Sequence, residues 1–113
     1  KNVSTLPLDV YMSWVSESVS KRIALDGRDQ FVTSVLAGVF YLNLFWDKQE
    51  AEKTDITYLT TTISRVSGMP HQTVYEVVQA YPIIKNLEEF CAALKEVTQS
   101  VRFNNFNIFL FKE

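Results

Sequence analysis

The sequence predicts a mostly α protein with a C-terminal β-hairpin, an α+β chain of 113 residues. Three observations predict it. Apolar residues recur at spacings of three and four through most of the chain, the pattern of helices that bury one face. Turn and cap residues fall where that pattern breaks, at Gly27, Asp55, Gly68, Pro70, Pro82 and Asn86. After Ser100 the period changes, and aromatic and β-branched residues flank the pair Asn104-Asn105, as in a hairpin whose turn needs positive φ.

The first helix starts near Thr5 and Pro7, since proline is tolerated in a first turn where its missing N–H costs nothing. Leu8, Met12, Val15, Val19 and Ile23 form its buried face, and Gly27 is expected to end it in the left-handed conformation. A second helix is predicted from Arg28 to about Trp46 on the spacing of Phe31, Val32, Val35, Leu36, Val39 and Phe40. Residues 39–46 are apolar almost all round, which suits a helix buried on most sides or a strand rich in aromatics. The charged stretch from Asp47 to Lys53 either extends this helix or links the two halves.

Thr54 or Asp55 caps a third helix, whose buried face is Ile56, Leu59, Ile63 and Val66. Ser67-Gly68 breaks it. A fourth helix opens at Pro70, carries Val74, Val77 and Val78, and ends or kinks at Pro82. Asn86 and Glu89 form a capping-box pattern ahead of a fifth helix with Leu87, Phe90, Cys91, Leu94 and Val97 on one face. Val101-Arg102-Phe103 and the run Phe106 to Phe111 are the two predicted strands. The length fits a single domain, 1–113, made of an N-terminal helical pair (1–53) and a second module (54–113).

Composition narrows the function classes. The net charge is -2. Six basic residues face seven acidic ones in 1–54, and five face six in 55–113. Neither half offers the Lys/Arg-rich surface that grips phosphate non-specifically. Cys91 is the only cysteine, which excludes an internal disulfide framework, and it is expected to fill core rather than react. The longest apolar run, Phe31 to Trp46, is short of the roughly 20 residues a membrane span needs. A core helix is expected there, and no membrane.

The chemistry of catalysis is missing from the pattern. His71 is the only histidine, so a histidine-based metal cluster cannot form, and no nucleophile motif lies near it. Glu88 and Glu89 are neighbours on a helix, so their side chains diverge and suit the helix dipole better than acid/base work. There is no phosphate-cradling glycine loop. A non-enzymatic protein without metal or cofactor is the expectation.

The most specific local signal runs from Ile63 to Val78. Gly68 permits a sharp turn between two short helices, and Met69, Val74 and Val77 plug the angle. This segment resembles the helix-turn-helix of the lac-repressor family, which has a glycine, an apolar residue and Gln-Thr-Val at similar spacing. The resemblance implies that His71, Gln72 and Tyr75 face base edges and that Thr73 touches phosphate. Gln72 would pair with adenine. Glu76 departs from the pattern, since a carboxylate there repels phosphate. The simpler alternative is a plain helical hairpin with glycine at its corner.

A second resemblance covers about residues 55–113. Leu59 to Gly68 is similar to the first helix and turn of the HU/IHF family of DNA-architectural proteins. Ala92 to Glu96 resembles the end of its long helix, and Val101 to Phe109 its strand-turn-strand. Phe106 and Phe109 match the family's two core aromatics, and Asn105 and Asn107 stand where it has glycine. The departures are Pro82 within the long helix, the missing basic surface, and a chain that stops at Glu113 before the β-arms.

That resemblance implies a DNA-associated protein in DNA organisation or transcription control, a homodimer, cytoplasmic or nucleoid-associated. Arg65, His71, Gln72, Thr73, Tyr75 and Arg102 are the candidate DNA-binding residues. The competing class is a protein–protein interaction or structural assembly module, of a kind a phage or mobile element would encode, that keeps a degenerate form of the fold without binding DNA. Its candidate interface residues are Tyr41, Phe45, Trp46, Phe106 and Phe109, with Tyr11 and Trp14 as further aromatics.

Overall fold

A computed structural model describes residues 7–21, 25–44 and 55–98 of the protein. Regular structure in these residues is helical throughout: α1 (Leu8–Ser20), α2 (Gly27–Leu44), α3 (Ile56–Ser67), α4 (His71–Ala80) and α5 (Leu87–Thr98). The expected α+β class is therefore corrected to a helical one. The hairpin expected at 101–111, with Arg102, Phe106 and Phe109, lies outside the described residues.

Helix α2 is the axis of the fold. It packs against each of the other four helices. Every residue from Val32 to Phe40 is buried, as are Leu42 and Asn43. A helix with no polar stripe has nowhere to put a solvent face, so its neighbours must cover it. The strand alternative for 39–46 fails as far as Leu44, because the helical hydrogen-bond pattern continues to that residue. Among the described residues no helix is long and apolar enough to cross a membrane.

The other helices each bury one stripe. On α1 it is Tyr11, Met12, Val15 and Val19. On α3 it is Leu59, Thr60 and Ile63, on α4 Val74 and Val78, and on α5 Phe90, Cys91, Ala93 and Leu94. All but Thr60 and Cys91 join one hydrophobic cluster with α2 and Ile84. Phe40 of α2 stacks on Phe90 of α5, ring centroids 5.1 Å apart. Offset aromatic pairs of this kind add about 0.5–1.5 kcal/mol beyond the area they bury.

Gly38 sets how closely three helices approach. A Cβ placed there would lie 3.1 Å from Cδ1 and Cγ1 of Ile63 and 3.2 Å from the sulfur of Met12. Both α1 and α3 therefore press on α2 so closely that an added methyl would make Ile63 and Met12 give way by a few tenths of an ångström.

The helix ends follow local chemistry. Asp55 Oδ1 accepts from the Tyr58 N–H at 3.1 Å and starts α3. Gly68, at φ 75°, ends it, with its N–H donating to Ser64 O at 2.9 Å. Asn86 Oδ1 accepts from the Glu89 N–H at 2.8 Å. The Glu89 carboxylate returns to the Lys85 N–H at 3.1 Å, so the capping box closes one residue earlier than usual.

Gly27 differs from expectation. It opens α2 instead of ending α1, because Asp26 Oδ1 takes the Asp29 N–H at 2.8 Å and caps the new helix. Helix α1 has already stopped, and Lys21 is its C-cap. The long helix implied by the HU/IHF resemblance is likewise absent. Residues 81–86 are not helical, and Pro82 lies between two separate helices, α4 and α5.

Candidate functional site

Helices α3 and α4 meet at the Gly68 corner, which two serines tie down. Ser64 Oγ donates to Met69 O at 2.7 Å, and Ser67 Oγ accepts from the Met69 N–H at 3.1 Å. Arg65, His71, Gln72, Thr73 and Tyr75 are all exposed around this corner. Tyr75, 36 % exposed, is among the larger apolar side chains that reach solvent.

The corner is the hairpin the sequence predicts, yet its chemistry suits DNA poorly. Gln72, Tyr75, Glu76 and Gln79 share one face at spacings of three, four and seven. Helix α4 carries no lysine or arginine, so its outer face presents a carboxylate and no strong cation. Of the six candidates, five lie inside the described residues, and Arg65, on the last turn of α3, is the one guanidinium among those five.

The interface aromatics fare differently from one another. Tyr41 is half-buried, with its ring 5.3 Å from that of Tyr11. Trp14, also half-buried, has its ring 6.1 Å from that of Tyr11. Tyr11 itself is fully buried, and burial pushes its phenol far above its ordinary value. These three rings form part of the packing around α1 and α2. Phe45, Trp46, Phe106 and Phe109 lie outside the described residues.

Beside a wider recess of about 600 Å³ where α1 and α2 meet, lined by Ser16, Glu17, Gln30 and Phe31, two others open on the described surface. One, of about 470 Å³, runs between α1 and the α3–α4 corner, where Asp9, Trp14, Glu17, Val66 and Met69 line it. The other, of about 450 Å³, lies where α2, α4 and α5 come together. Phe31, Val32, Val77, Ala80, Tyr81 and Val97 make its apolar floor, and Arg28, Thr73 and Glu76 line the remainder. Tyr81 donates its O–H to Glu96 Oε1 at 2.6 Å. Partial burial, then that hydrogen bond and the negative charge of Glu96, push the Tyr81 phenol up to about 12.

The α2–α4–α5 groove did not show in the sequence. Phe31, Val77 and Val97 each stand out as helix-face positions, but nothing in their spacing says that they meet. Among the described residues no group of three or more His, Cys, Asp or Glu is placed to hold a metal. Cys91 is buried, which pushes its thiol up and away from reactivity.

The described residues form a helical domain wrapped round one buried helix, with recesses and polar helix faces at its surface. Its family follows from sequence comparison. The chain belongs to the family described as Bacteriophage PhiKZ vertex-binding protein gp28, which it matches over residues 1–112. No curated protein and no solved structure matches it.

This membership corrects the HU/IHF resemblance. That likeness rested on a glycine-cornered helical hairpin and on two phenylalanines at a family-like spacing. Helical hairpins arise wherever two short amphipathic helices must turn back, so they carry little family information. The lac-repressor likeness rested on the same hairpin and gains no support for DNA binding from the family matched.

Proposed function

We propose that the chain is a phage-encoded, non-enzymatic protein that binds a vertex of the phage particle through protein–protein contacts. The observation that carries this reading is the family match over residues 1–112, nearly the whole chain, with proteins described as vertex-binding. The surface supports it. The net charge of -2 and the carboxylate on the outer face of α4 disfavour a polyanion as partner. A protein partner needs apolar recesses with a polar rim, and the α2–α4–α5 groove is one.

Electron microscopy tests the reading directly. Purified, gold-tagged chain is incubated with particles of the phage that encodes it. Label concentrated at vertices is the expected result. Label spread evenly over the particle, or none, refutes it. A gel shift on random duplex DNA run alongside is expected to show no binding at low salt.

A further inference from the structure

We propose that the α2–α4–α5 groove is the vertex-binding surface, and that it takes an apolar anchor side chain of the partner flanked by an acid on one side and a base on the other. The inference rests on the vertex-binding reading and adds the place and chemistry of contact.

Two observations carry it. The groove is floored by apolar side chains from three helices, with Phe31, Val77 and Val97 each half-buried and open to a recess of about 450 Å³. A recess of that size takes one or two large side chains, and interfaces concentrate their energy in such anchors.

The second observation is electrostatic. Arg28 and Glu76, both exposed, line this groove, and neither has an ion-pair partner among the described residues, the other included. Some ionic groups elsewhere on the described surface find partners, while others, such as Arg65, Glu88 and Lys95, stand free of the recesses. Lys21 pairs with Glu17 at 3.2 Å, Glu89 holds the Lys85 and Asn86 nitrogens, and Glu96 holds Tyr81. A cation and an anion lining one apolar groove orient a partner of complementary charge order more than they strengthen its grip. The recesses along α1 lack this arrangement, because Asp9 and Glu17 line one and Glu17 the other, neither with a cation.

The test compares variants of the full chain for binding to purified particles of the encoding phage, by co-sedimentation. Arg28→Glu and Glu76→Arg are surface changes that leave the core intact. Each is expected to weaken binding about tenfold, and Val77→Asp to abolish it. Arg65→Glu, outside the groove, is expected to bind as the wild type does. Circular dichroism separates lost binding from lost folding, and the two charge reversals keep the test decisive if Val77→Asp unfolds.

The outcomes separate the two readings. If the wild type does not reach the particle, the vertex-binding reading fails. If it binds and both charge reversals bind equally well, the groove assignment alone fails. The groove assignment also fails if the wild type is a dimer that Arg28→Glu dissociates, since a second copy then occupies the groove. It fails equally if removal of residues 99–113 leaves folding intact and strengthens binding, since the chain's own terminus then competes for the site.

Discussion

Replacing Gly38 by alanine sets two known effects against each other. Alanine is the better helix former by about 0.8–1 kcal/mol in a helix interior. The added Cβ, however, would sit 3.1 Å from two carbons of Ile63 and 3.2 Å from Met12 sulfur. Met12 can swing its thioether aside. Ile63 is β-branched, fully buried and held on α3, so its stiff χ1 keeps Cγ1 in place even if Cδ1 turns away. Overpacking of this kind costs about 1–3 kcal/mol.

The clash therefore wins. Gly38→Ala is expected to lose about 1 kcal/mol net, read as a lower urea midpoint with unchanged slope. Ile63→Val removes the Cδ1 atom that the new methyl meets. Alone it should cost about 0.5–1.5 kcal/mol. In the Gly38→Ala background it should cost less, giving a coupling of at least about 0.5 kcal/mol. A Gly38→Ala protein more stable than wild type, or strict additivity with Ile63→Val, would refute the close three-helix approach.

Three further outcomes follow from other sites. Gly68→Ala should destabilise by about 1–2 kcal/mol in thermal melts, since its φ of 75° is left-handed and a Cβ there has open space but the wrong backbone. Thr33→Val should hold or raise stability by up to about 1 kcal/mol, because the buried Thr33 hydroxyl has no hydrogen-bond partner among the described residues and valine fills the same volume. Tyr81 should titrate near pH 12 in the ultraviolet difference between wild type and Tyr81→Phe, and Glu96→Gln should lower that value. The folded value lies above the ordinary 10.0, so the stability tied to this proton is complete below pH 10 and is lost as pH rises to about 12.

Much of the helical frame was legible because caps and breakers act over three or four residues. Asp55, Gly68 and the Asn86–Glu89 pair lie where the sequence places them. The errors arose where two local signals competed. At Asp26-Gly27 the aspartate's side-chain acceptor decided the outcome, and the glycine became a first-turn residue. At Pro82 the missing N–H separated two helices that the HU/IHF resemblance would join. The groove was illegible for a different reason. Val77 and Val97 lie on separate helices, and only the packing of both on α2 makes neighbours of them. Nor does any spacing rule predict that Arg28 and Glu76 share that groove.

The enclosure of α2 also shapes how the chain can vary. A helix with one buried stripe offers drift at most of its positions, but from Val32 to Phe40 this one offers none. Even Thr33 and Ser34 face inward. Substitution must therefore collect on the outward sides of the four surrounding helices, where a changing partner would demand it. The spindle stays fixed while the rind is free to adapt.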